Sequence, residues 1–231
     1  MPGFVIHLAE AIVIMESMKE KPDPVWRQEF LLGSLLPDTR LGENKAVSHF
    51  WGSGQDKYIA RAPRLPLFMN KYGYRLNEAV MLGYYAHLHL DARYVRSFWP
   101  KELTFEDRDG RPQAEKDKIE RVELSHSGQR IPFEDFFSSE YYYGDYTRCN
   151  HWFVEKYHIE APEYKAMERL AMSEVEPEEL KNVLGELKHL LNSGRIGDEK
   201  AMKVFDLTEL DAFVRDTADA FCRDMEVFFH R

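Results

Sequence analysis

A chain of 231 residues, 44% of them hydrophobic, can bury a sizeable core, which excludes global disorder. Its 31 Lys and Arg stand against 40 Asp and Glu, a net charge of −9 with no basic run, so no nucleic-acid-binding role is expected. Two cysteines, Cys149 and Cys222, can build neither a disulfide framework nor a cysteine-based zinc site, whereas nine histidines raise the question of metal or acid–base chemistry.

Apolar periodicity predicts helix along most of the chain. The first helix, about residues 4–19, is apolar but carries His7 and Glu10 and has no cation before it. It reads as a poor signal peptide, so a cytoplasmic chain is expected. A second helix, about 24–35, places Pro24 in its first turn and stops at Pro37-Asp38. Residues 39–62 look irregular, and a short helix near 64–72 ends at Gly73. A long helix, about 75–98 and closed by Pro100, is apolar nearly all round and is expected at the centre of the molecule. Its apolar run Ala79–Ala86 is too short to span a bilayer. Residues 101–132 turn charged and alternate around turn signals, which predicts a β-hairpin insertion. Helices resume at about 133–157, 162–172, 177–192 and 207–230. Thr208 with Asp211 resembles a capping signal for the last, whose stripe of Phe213, Val214, Phe221, Met225 and Phe228 suits the core or else a homodimer contact. The expected architecture is one all-α metal-binding domain over 1–231 with a small β-hairpin insertion at about 101–132.

Five residues stand out. His87 and Asp91 lie four apart, one turn apart on one helix face, in an almost wholly apolar stretch. A carboxylate there is costly to bury unless something pairs with it or binds it, and a metal ion satisfies both residues at once. His7 sits mid-way along an equally apolar helix, Asp38 projects from the corner made by Pro37, and His49 follows the irregular stretch. Each alone would read as structural: a core histidine, a helix-end aspartate, a loop histidine. Together they form a His/Asp set suited to zinc, and also to manganese, iron or nickel.

The order His7, Pro37-Asp38, His49 and Gly83-Tyr-Tyr-Ala-His87-x-x-x-Asp91 resembles the bacterial zinc-dependent phospholipase C family. The opening Met-Pro-Gly-Phe-Val-Ile-His and the segment Phe30-Leu-Leu-Gly-Ser-Leu-Leu-Pro-Asp38 resemble its intracellular, uncharacterised branch. The resemblance covers roughly residues 1–160. It implies an all-α fold, a cluster of two or three metal ions and hydrolysis of phosphoesters. By motif position, Asp38, His49, His87 and Asp91 would hold one ion, and His7 would join a bridging Asp91 at a second. Asp38 would orient the attacking water or act as general base. The family's later His-x-x-x-Glu is matched by His151 and Glu155, with Asp145 ahead of them as a metal or substrate contact. The family's histidine soon after the His-x-x-x-Asp is missing; the next is His126.

Rival readings are weaker. His87-Leu-His89-Leu-Asp91 also spells His-x-His-x-Asp, but that motif wants a strand-to-loop context and a histidine after the aspartate, where Ala92 stands. There is no His-Asp dipeptide, His-Glu-x-x-His, P-loop or glycine-rich dinucleotide motif. A rival of another class is a non-catalytic helical protein with a structural metal site and a partner-binding role. The expected substrate is a small phosphoester, with no stable membrane association, because no basic amphipathic surface appears.

Overall fold

The computed structural model describes residues 2–40, 44–165, 170–193 and 202–229. Helix is the dominant element, and the described strands form one small antiparallel sheet. No helix among the described residues is long and apolar enough to cross a membrane.

Three helices make the centre: α1 (Phe4–Ser17), α2 (Pro24–Leu35) and α5 (Ala79–Arg93). In α1 nearly every residue from Val5 to Met15 is buried, because other helices cover it on all sides. Asp23 caps α2 by accepting from the amides of Val25 and Trp26 at 2.9 and 3.0 Å, with Pro24 at the first turn as expected. The α2 and α5 backbones touch. A Cβ added at Gly33 would lie 2.1 Å from the Val80 carbonyl oxygen, and one added at Gly83 would lie 2.1 Å from that of Phe30. Only glycine permits this approach from both sides.

The chain leaves α2 through a 3-10 turn, Leu36–Thr39, into the short helix α3 (Lys45–Ser48) and then α4 (Leu65–Tyr72). After α5 comes a wide π-type turn, Tyr94–Phe98, and then α6 (Trp99–Glu102). Helix therefore runs past Pro100, which falls in the first turn of α6, where its missing N–H is not needed.

The expected hairpin is part of a three-stranded meander: β1 (Leu103–Glu106), β2 (Arg121–Leu124) and β3 (Gln129–Pro132), all antiparallel. Leu103, Phe105, Val122, Leu124 and Ile131 form its buried side, which is the period-2 pattern of a half-buried sheet.

The helix expected over 133–157 is two, α7 (Phe133–Phe136) and α8 (Tyr142–Tyr157). Between them the Ser138 carbonyl takes the amides of Tyr143 and Gly144, folding the chain back onto the first turn of α8. Nor are 162–165 and 170–172 helical. The Glu163 amide donates to Gln28 and Lys165 pairs with Glu29, so this segment runs along the outside of α2; residues 166–169 lie outside the described residues.

Two helices finish the domain, α9 (Leu180–Asn192) and α10 (Leu207–Phe229). Asp206, not Thr208, caps α10, accepting from the amides of Thr208 and Glu209. Helix α10 lies against α1 and α5, and its apolar stripe (Phe213, Val214, Phe221, Met225) closes the core. His230, expected to face solvent, lies outside the described residues.

Candidate metal centre

The glycine crossing sets the site. Because α2 and α5 meet at Gly33 and Gly83, the Ser34 carbonyl lies 2.8 Å from His87 Nδ1. A carbonyl only accepts, so Nδ1 carries the proton and Nε2 carries a lone pair. His49 is fixed in the same way. Its Nδ1 lies 3.1 Å from the Lys45 carbonyl, one helical turn back, and 3.0 Å from Ser48 Oγ. The Tyr84 hydroxyl donates to the Ser48 carbonyl at 2.5 Å, tying this corner to α5.

Two lone-pair-bearing nitrogens, His87 Nε2 and His49 Nε2, therefore face each other at 3.2 Å. Around them stand carboxylates. Asp91 Oδ2 is 3.4 Å from His87 Nε2 and 3.5 Å from His49 Nε2, and Asp38 Oδ1 is 3.6 Å from His49 Nε2. His7 Nε2 is 3.6 Å from Asp91 Oδ1, and its ring stacks on that of His87 with centroids 3.6 Å apart. Both oxygens of Asp91 and both nitrogens of His7 are buried without a hydrogen-bond partner among the described residues. Orphaned buried polar atoms are rare and each needs a physical reason.

The spacing supplies one. Ligands ~2.0–2.2 Å from a tetrahedral ion stand ~3.3–3.6 Å from one another. The separations here, 3.2–3.6 Å, fall at that range, so these atoms could share a cation. Two overlapping groups could hold ions: His7, His87 and Asp91, and Asp38, His49 and His87. His87 belongs to both, yet it has one lone pair to give. Asp91 Oδ2 also lies 3.4 Å from His87 Nε2 and 3.5 Å from His49 Nε2, so it is a further candidate ligand beside the second group, with His7 next to the other Asp91 oxygen.

The electrostatics agree. Burial alone would raise the Asp91 carboxyl; His87, His7 and His49 outweigh it and hold the group far below the usual carboxylate range. Burial would likewise raise Asp38, but the Lys45 ammonium, 2.8 Å away, and His49 hold it well below that range. Burial pushes the His49 imidazole down to about 4, and burial with His87 lowers His7 well below its ordinary value. Neutral imidazoles beside ionised carboxylates are the protonation states a metal requires.

Sequence reasoning missed three supporting groups. Lys45, which opens the short helix that His49 caps, pairs with Asp38, a contact that no sequence spacing announces. Ser34 orients His87 through its backbone, which side-chain chemistry does not announce. Glu10, one turn beyond His7, is fully enclosed, and burial together with Asp91 raises its carboxyl well above the usual range.

The residues matched to a third site stand elsewhere. Asp145 is buried, but its carboxylate is taken up by Arg148 at 2.8 Å and by the amides of Lys203, Val204 and Phe205. It joins α8 to the chain entering α10. His151 and Glu155 pair with each other at 2.9 Å, with Glu155 exposed. None of the three belongs to the buried groups. His89 points away from His87 and packs edge-on against Phe221.

A cavity of about 400 Å³ adjoins the centre. Lys45 lines it and holds Asp38, while Trp51 lines it with its ring 5.8 Å from that of His49. Lys45 and Trp51 thus stand between the cavity and the candidate ligands, none of which lines it. No protein-family model, curated protein or solved structure matches the chain.

Proposed function

We propose that the chain is a metal-dependent phosphoesterase whose centre is built by Asp38, His49, His87 and Asp91, with His7 beside them. One observation carries this reading: two imidazole lone pairs 3.2 Å apart, with carboxylate oxygens at 3.4–3.6 Å, in a core where both Asp91 oxygens have no hydrogen-bond partner among the described residues. The ordered motif set resembling the zinc-dependent phospholipases C supports it, and two imidazoles with two carboxylates suit zinc, with manganese, iron or nickel as alternatives. A divalent ion bound there supplies positive charge to a phosphoryl oxygen and lowers the pKa of water.

The chain's own groups do the rest. Asp38 is the least enclosed of the five, 6% exposed, and is bound by Lys45, which lines the cavity. Held ionised, it is a constant acceptor that orients an attacking water. The Lys45 ammonium meets charge developing on the phosphoryl oxygens. Ser34 and the Lys45 carbonyl keep His87 and His49 in the ligand tautomer. A small phosphoester dissolved in water suits the cavity better than a membrane lipid, given a net charge of −9.

The near-complete enclosure of His7, His49, His87 and Asp91 favours a second reading, a structural ion that locks α1, α2 and α5 together. One experiment separates the two. The protein is purified without a metal-affinity tag, its metal is measured by mass spectrometry, and a chromogenic phosphodiester and monoester are assayed. Bound transition metal with metal-dependent turnover is expected. Metal-free protein indifferent to chelators would end both readings; full occupancy without turnover would leave the structural ion.

A further inference from the structure

The cavity beside the centre is lined by charges of one sign. Lys45, Arg61 and Lys116 contribute to its wall, and no Asp or Glu does, in a chain where acids outnumber bases by 40 to 31. Lys45 is matched to Asp38. Arg61 and Lys116 have no carboxylate partner among the described residues; Arg61 instead lies over the Trp51 ring at 4.2 Å, which holds the guanidinium at the cavity wall. The remaining lining is largely aromatic: Trp51, Tyr58, Trp99, Tyr142 and Tyr143. Tyr143 is 57% exposed and marks the solvent side. The Trp51 indole N–H is buried without an acceptor among the described residues.

Aromatic walls alone would also suit a quaternary ammonium, through the negative faces of the rings. Two unmatched cations in the same wall repel such a group and attract an anion. Flat walls and fixed cations together select a ring that carries negative charge.

We infer that this cavity is a substrate pocket for small phosphoesters of ring-bearing alcohols, the ring lying among Trp51, Trp99 and Tyr142 and the anion drawn by Arg61 and Lys116 toward Lys45 and the metal ligands. The assignment rests on the phosphoesterase reading of the adjoining centre. It makes Trp51, Arg61 and Lys116 specificity-determining residues outside the ligand set.

The test is ligand binding by the protein as purified, read from quenching of tryptophan fluorescence by phenylphosphonate, methylphosphonate and phosphocholine, none of which needs to turn over. Phenylphosphonate is expected to bind at least tenfold more tightly than the other two. The double variant Arg61→Gln, Lys116→Gln should weaken it about tenfold or more, the loss typical of charge-assisted contacts, while metal content and melting temperature hold. Equal binding of the three ligands, or an unchanged affinity in the folded double variant, would overturn the inference. The same titration keeps the two claims apart. Selective binding without turnover of phenyl phosphate would sink the hydrolase and leave the pocket, whereas turnover with no preference between phenyl and methyl phosphate would sink the pocket and leave the hydrolase.

Discussion

Replacing Gly83 by alanine should cost more than its single methyl group suggests. The new Cβ would fall 2.1 Å from the Phe30 carbonyl oxygen and 3.0 Å from the Ser34 amide nitrogen, both backbone atoms that cannot rotate away. Helices α2 and α5 must separate by ~1 Å to restore even the tightest tolerated contact. That separation stretches the 2.8 Å bond from His87 Nδ1 to the Ser34 carbonyl beyond hydrogen-bonding range. Overpacking contributes ~1–3 kcal/mol and the stranded buried imidazole a similar amount, so a loss of about 3 kcal/mol or more is expected. Because the Ser34 carbonyl holds His87 in its ligand tautomer, metal affinity should also fall ~10–100-fold. Urea unfolding and metal content after dialysis measure the two effects. The control is Gly185→Ala in α9, where an added Cβ meets nothing within 4 Å; it should stabilise by ~0.5–1 kcal/mol. Wild-type stability and full metal occupancy in the Gly83→Ala variant would refute the claim that this crossing builds the centre.

Four further outcomes are expected. Chelation should lower the melting temperature of the wild type but not of Asp91→Ala, because an ion at a thousandfold excess over its Kd stabilises by ~4 kcal/mol and the variant has no such ion to lose. Asp145→Ala should destabilise by about 3–5 kcal/mol, since it strands Arg148 and three amides, yet leave metal content unchanged. His151→Ala should change neither stability beyond ~0.5 kcal/mol nor metal content, and metal loss in it would restore the third site. Burial, with Arg93 adding to it, pushes His89 down to about 4. Its folded pKa lies below its unfolded value, so its contribution is complete above about pH 6.5 and drains away as pH falls toward 4. Between pH 7.5 and 5 this amounts to about 2 kcal/mol, and urea unfolding of His89→Leu should show acid sensitivity smaller by that amount.

What could be read in advance followed from local rules. Pro24 and Pro37 bracketed α2, the all-round apolar pattern of α5 put it at the centre, and the i,i+4 spacing of His87 and Asp91 placed both on one face. The five residues singled out from apolar contexts do converge, because burying ionisable groups without partners is costly everywhere. The misses share a cause in tertiary contacts. Pro100 was read as a helix stop, but a wide turn ahead of it let the helical path restart. Residues 162–165 and 170–172 have helical composition, yet the chain there is held along α2 by Gln28 and Glu29. Asp145 was read as a metal or substrate contact because it stands just ahead of His151 and Glu155 in the matched motif; only the fold reveals that distant amides already satisfy it. Lys45 carried no motif, and its role depends on where Asp38 ends up.

The covering of α1 by α10 has a consequence for the order of events in the cell. His7 is made long before α10, yet its helix is sheltered by α10 and gains from it a contact as late as Cys222 with the Ile14 carbonyl. Pairings across so much sequence form slowly and only once both partners exist. Helix α1, packed also by α2, α5 and α8, must therefore keep one apolar side uncovered until α10 is made, the kind of exposed surface that chaperones shield. An ion that needed His7 beside Asp91 would thus bind most securely once α10 had closed over α1, as a lock on an assembled chain rather than as its nucleus.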